Sequence, residues 1–131
     1  MDPSTTRKLP LSRPQPSQLY VDGAKLASAL EWWSFDGHGY DPIPMLEMDG
    51  EPVITDGHTR AFLAYLSGHE TLLGTDDPDR VHRPMYRECV RWCREESVTE
   101  VAHLVGRVVS AETFRERWIE RCHASPLYDQ E

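Results

Sequence analysis

The clearest pattern of apolar and polar positions runs from Pro42 to Glu70, PIPMLEMDGEPVITDGHTRAFLAYLSGHE. Its first half alternates like two short strands joined at Asp49-Gly50. Asp-Gly is a strong hairpin signal, because glycine takes positive φ at little cost. The second half changes period. Ala61, Phe62, Leu63, Tyr65 and Leu66 recur at helical spacing, and Gly68 supplies a stop. Between strand and helix lies Thr55-Asp56-Gly57-His58-Thr59-Arg60, a tight polar turn.

The flanks follow the same two periods. Residues Met1 to about Ser17 hold Pro3, Pro10, Pro14 and Pro16, which predicts a mobile beginning over residues 1–8 and a short edge strand over Leu9–Leu11. Asp22 can cap a helix from Gly23 to Trp33, with Leu26, Leu30 and Trp33 on one face. The segment SFDGHGYDP breaks regularity and predicts a mobile loop beside a ligand. His69 to Gly74 reads as another short strand, followed by an aspartate-rich connection from Thr75 to Arg83. Pro84 suits the first turn of a helix reaching Glu96, with Met85, Tyr86, Cys89, Val90, Trp92 and Cys93 on a broad apolar face. Ser97-Val98-Thr99-Glu100 matches a capping box for a short helix to Leu104. Ser110 can cap a last helix to about His123, with Phe114, Trp118, Ile119 and Cys122 inward. Strands early and helices late predict an α+β fold: a small mixed sheet with flanking helices, plus a helical C-terminal extension over residues 84–123.

At 131 residues the chain fits one domain, 1–131, with a genuine hydrophobic core. A net charge of −8 argues against broad, sequence-independent nucleic-acid binding, which works by neutralising phosphates. No run approaches the roughly 20 apolar residues of a membrane span. The beginning lacks the apolar core of a signal peptide, so a cytoplasmic protein is expected. Three cysteines suggest no disulfide framework.

The turn carries the candidate chemistry. A helix start presents unpaired backbone N–H groups and partial positive charge, which suit a phosphate. Gly57 lets a ligand approach the backbone, Thr59 offers a hydroxyl, and Arg60 offers a forked cation. Asp56 can orient Mg²⁺ or pair with Arg60. His58 can polarise a phosphoryl oxygen or transfer a proton near neutral pH. A local reading stands beside this one: Asp56 caps the helix, Gly57 makes the turn, and Arg60 pairs with a surface carboxylate.

Asp56-Gly57-His58-Thr59-Arg60-Ala61, behind the strand Pro52–Thr55, resembles the signature of the ParB/sulfiredoxin-like superfamily. Its members carry a Gly-x-x-Arg turn at a helix start. Leu9-Pro10-Leu11 and Pro42-Ile43-Pro44-Met45 resemble the two strand entries that precede it, so the similarity spans about Leu9 to Leu73. The resemblance implies a nucleotide-phosphate site at Gly57, His58, Thr59 and Arg60. His58 stands where sulfiredoxin-type members have cysteine, so sulfinic-acid reduction is not expected. Of the ParB-type Glu-Arg-Arg only Arg60 carries over. The turn is most similar to that of ADP-dependent free serine kinases, which read Asp-Gly-His-x-Arg. Those enzymes use a glutamate soon after their first strand, where this chain has Gln18, and Glu31 or Asp36 would have to substitute.

Further candidates have both a structural and a functional reading. Cys89, Cys93 and Cys122-His123 contain zinc-ligand types, but their spacing fits small core residues better. Arg83, Arg87, Arg91 and Arg94, with Arg80 and His82, form a basic stripe that reads first as a solvated face and second as a clamp for a nucleotide or a protein partner. Trp32, Trp33 and Phe35 read first as core and second as a platform for a base. His38 and Asp41 are loop candidates. The expectation is a nucleotide-binding protein using ADP or ATP with Mg²⁺. It acts either as a small-molecule kinase on a hydroxylated metabolite or as a nucleotide-responsive regulatory module without turnover. No membrane association is expected, and a DNA-segregation clamp is the weakest reading.

Overall fold

The computed structural model describes residues 6–35, 39–77 and 82–128. The Asp49-Gly50 pair does what its chemistry predicts. Asp49 has φ 53° and Gly50 φ 80°, and they join β3 (Ile43–Met48) to β4 (Glu51–Ile54) in a two-residue hairpin. Substituting Gly50 by alanine is expected to cost about 1–2 kcal/mol, the penalty of a left-handed L-residue. Denaturant unfolding checks it, and an unchanged midpoint would mean the turn relaxes.

The hairpin sits at one side of a four-stranded sheet in the order β1-β5-β3-β4. β1 (Arg7–Pro10) pairs antiparallel with β5 (Thr71–Asp76), and β5 runs parallel to β3. The edge strand starts at Arg7, so Arg7 and Lys8 are paired to Gly74 and Leu73 instead of belonging to a mobile beginning. A second, two-stranded parallel sheet joins β2 (Val21–Asp22) to β6 (Val108–Val109). The chain is therefore α+β, as its strand and helix order predicts.

The proline-rich stretch after β1 is part of the core. Pro14 and Pro16 lack N–H groups, so Gln15 between them carries the one backbone donor of the three residues. Gln15 pairs with the open edge of β4: its N–H donates to Pro52 O and its carbonyl accepts from Ile54 N, each at 2.9 Å. The buried Gln15 side chain then donates to Pro16 O and Val98 O, both at 2.8 Å, which ties the sheet edge to the C-terminal region.

Helix α1 (Gly23–Leu30) is capped by Asp22, which accepts from the amides of Ala24 and Lys25. It stops earlier than its apolar spacing predicts, and Leu30 is 45% exposed while Ala29 and Trp33 face the core. Helix α2 (His58–Leu66) ends before Gly68, whose φ is 81°. Helix α3 (Arg83–Glu95) carries Pro84 in its first turn. Ser97, expected to open the next helix, instead closes α3: it has φ 62°, and the Val98 amide reaches back to Cys93 O at 2.8 Å. A 3₁₀ turn (Val101–Leu104) follows. The last helical run begins at α4 (Ala111–Phe114), with Ser110 accepting from the Thr113 amide. It passes through a π turn (Arg115–Ile119) and continues as α5 (Glu120–Ala124).

Leu19, Val21, Ile43, Ile54, Leu63, Leu72 and Leu104 are essentially inaccessible and lie in one core shared by the sheet, α2 and the C-terminal region. The 84–123 extension is thus packed into the same core as the sheet. Among the described residues no helix is long and apolar enough to cross a membrane.

Candidate functional site

Strand β4 ends at Ile54, and α2 begins four residues later, so the polar turn stands at the mouth between sheet and helix. Gly57 is the α2 N-cap, with φ 78° and no side-chain cap. The first intrahelical bond is Ala61 N to Gly57 O at 3.0 Å. Among the described residues no acceptor reaches the amides of His58, Thr59 or Arg60. These N–H groups, at the positive end of the helix dipole, are the usual seat for an anion.

The turn lines a cavity of about 450 Å³ with α1 opposite. Asp56, Gly57, His58, Thr59 and Arg60 form one side, while Lys25, Ser28, Ala29 and Trp32 form the other. The size is in the ordinary range for small-molecule sites. All five turn residues expected from the sequence therefore lie together on one cavity. Lys25 and Ser28 were not singled out by the sequence. The available signal was their spacing: Lys25, Ser28 and Trp32 recur at three- and four-residue steps on a capped helix.

Arg60 folds back over the turn. It donates from Nη1 to Asp41 O at 2.9 Å. A Cβ added at Gly57 would lie 2.6 Å from Arg60 Nη2, so glycine is what lets the guanidinium pass. Asp41 thus contributes its carbonyl, not its carboxylate. Asp56 accepts from the Gly57 amide at 2.8 Å and is the one carboxylate among the described residues lining the cavity.

His58 departs from its expected role. The ring is buried, and its Nε2 accepts the Ser17 amide at 3.0 Å. Burial holds it neutral, pushing its pKa down to about 4, although Asp56 opposes the shift. A ring held neutral with Nε2 occupied is unsuited to proton transfer near pH 7. It pins the start of α2 to the segment after Pro16, where the Ser17 hydroxyl also donates to Ile54 O at 2.6 Å. Gln18 lines the cavity beside His58 and donates to Tyr20 O.

The aromatic candidates separate. Trp33 is core: its indole donates to Ser67 Oγ at 2.9 Å, and its ring stacks on Tyr40 at 5.2 Å. Trp32 is 59% exposed, lies tilted against Trp33 at 5.9 Å and borders the cavity. Phe35 is exposed but not among the lining residues. Asp36, His38 and Arg80 lie outside the described residues.

The arginine stripe of α3 borders a separate surface groove of about 860 Å³ with Met48, Val53 and Val90. Its cations are mostly engaged: Arg87 with Asp49, Arg91 with Glu88 and Glu95, and Arg94 with the Gln15 side chain. Exposed pairs of this kind contribute little stability. Among the described residues, no group of three or more histidines, cysteines and acidic residues is arranged to hold a metal ion.

No family model matches the chain. No curated protein matches it either. A solved structure, protein Atu1540 from Agrobacterium tumefaciens, is similar in fold, with a TM-score of 0.54 at 10% sequence identity over 90% of this chain and 69% of that one. At that identity the likeness concerns the course of the backbone alone.

Proposed function

We propose that the protein is a nucleotide-binding module of ParB/sulfiredoxin-like type that seats the phosphates of ADP or ATP at the start of α2. The observation that carries this reading is the set of open amides of His58, Thr59 and Arg60, facing a cavity that also gathers Lys25, Arg60 and Trp32. Two cations offset phosphate charge, Thr59 adds a hydroxyl donor, and Trp32 offers a face for the base. Asp56, which lines the same cavity, would share a Mg²⁺ with phosphate oxygens, since magnesium keeps several waters and needs one or two carboxylates.

The geometry favours binding without turnover. Phosphoryl transfer depends on positioning and charge stabilisation, with a residue to orient the attacking hydroxyl. Gln18 holds the place where the similar kinases have their base, and His58 is committed to Ser17. The second reading, a Mg²⁺-dependent small-molecule phosphotransferase, rests on Asp56 beside the phosphate seat. Calorimetric titration with ADP and ATP, with and without Mg²⁺, should give saturable binding. Incubation with a pool of hydroxylated metabolites should yield no phosphomonoester. Product formation would favour the phosphotransferase, and absence of binding would overturn both readings.

A further inference from the structure

A second cavity, of about 420 Å³, lies behind the first, and Gln18 and His58 line both. Its far wall brings together Cys89 from α3 and Cys122 from α5, with His82, Tyr86 and Trp118. The last helical run meets α3 at two points: Trp118 of the π turn lies edge-on to Trp92 at 5.8 Å, and the Arg121 guanidinium of α5 lies 4.1 Å over Trp92. Cys89 and Cys122 thus line one cavity from two different helices. Cys93, one helical turn from Cys89, is fully buried and is not among the residues lining this cavity. No local pattern in the chain pairs Cys89 with Cys122 rather than with Cys93.

We propose that Cys89 and Cys122 are a redox-active dithiol that closes to a disulfide and clips the terminal helix to α3. The half-buried Cys122 is the attacking group and the buried Cys89 the resolving one. The neighbouring Cys89 holds the Cys122 thiol below its ordinary range, with Arg121 adding to the effect, while Cys122 and burial raise Cys89. The oxidant is a small-molecule disulfide of the glutathione type. The Cys122 thiolate attacks one sulfur, the S–S bond of the oxidant breaks, and one glutathione thiolate leaves. That thiolate takes the Cys89 proton. Cys89 then attacks the Cys122 sulfur and expels the second glutathione. Two protein thiols lose two electrons, and one small disulfide is reduced to two thiols. His82 borders the same space, and its Nε2 is buried without a hydrogen-bond partner among the described residues.

The test equilibrates the folded full chain with oxidised glutathione, quenches with acid, unfolds and alkylates, and reads the products by mass spectrometry. The expected product has one alkylated thiol, at Cys93, and a Cys89–Cys122 linked peptide. Cys93→Ala should still form the link, and Cys122→Ser should not. Three alkylated thiols at equilibrium, a link through Cys93, or a glutathione adduct that persists on Cys122 would overturn the proposal. Because the wild-type chain gives the primary reading, loss of fold in a variant does not obscure it.

Discussion

Acidification is expected to remove roughly 3 kcal/mol of folding stability through His58 alone. The folded ring has its pKa lowered from 6.5 to about 4. The unfolded chain therefore takes up the proton first as the pH falls. His58 costs nothing above pH 6.5, and its contribution falls away between 6.5 and about 4. The cause is burial with Nε2 committed to the Ser17 amide. Denaturant unfolding across this window, compared with His58→Gln, isolates the effect: the wild type should lose stability more steeply. His58→Ala should cost about 3 kcal/mol near neutral pH, since it strands a buried amide and leaves a void. Parallel pH profiles for wild type and His58→Gln would show that the ring is not buried and neutral.

Removing the Arg60 side chain is expected to weaken ADP binding about 10- to 100-fold, the loss of charged hydrogen bonds worth about 1.5–3 kcal/mol. Folding should change little, because Arg60 is partly exposed and its guanidinium donates to the carbonyl of the exposed Asp41. Arg60→Lys should recover only part of the affinity, since an ammonium lacks the planar fork. Gly57→Ala should weaken binding as well, because its Cβ would displace the guanidinium. It should also cost about 1–2 kcal/mol of stability for the left-handed backbone. Calorimetry on the three variants checks the order. Wild-type affinity in Arg60→Ala would remove the guanidinium from the phosphate seat.

What could be read from the sequence was local chemistry. Asp49-Gly50 makes its hairpin, Asp22 and Ser110 cap their helices, and the five turn residues meet at one cavity because they are consecutive in the chain. The rest depended on partners distant in sequence. No local pattern pairs Val21 with Val108, or sends Gln15 to the edge of β4. Ser97 carries a capping-box pattern, yet the end of α3 uses it first. An imidazole in a turn looks the same whether it faces a ligand or the Ser17 amide. Lys25 and Ser28 become site residues only because α1 packs across from α2. The same is true of the Cys89–Cys122 pair, which depends on how α5 returns to α3.

The central claim concerns three backbone amides, and they can be watched directly. In a ¹⁵N-resolved NMR titration with ADP, the His58, Thr59 and Arg60 N–H signals should move downfield together and saturate with a single affinity. If ADP binds while those three signals stay still, the phosphates sit elsewhere and the account of this site is wrong.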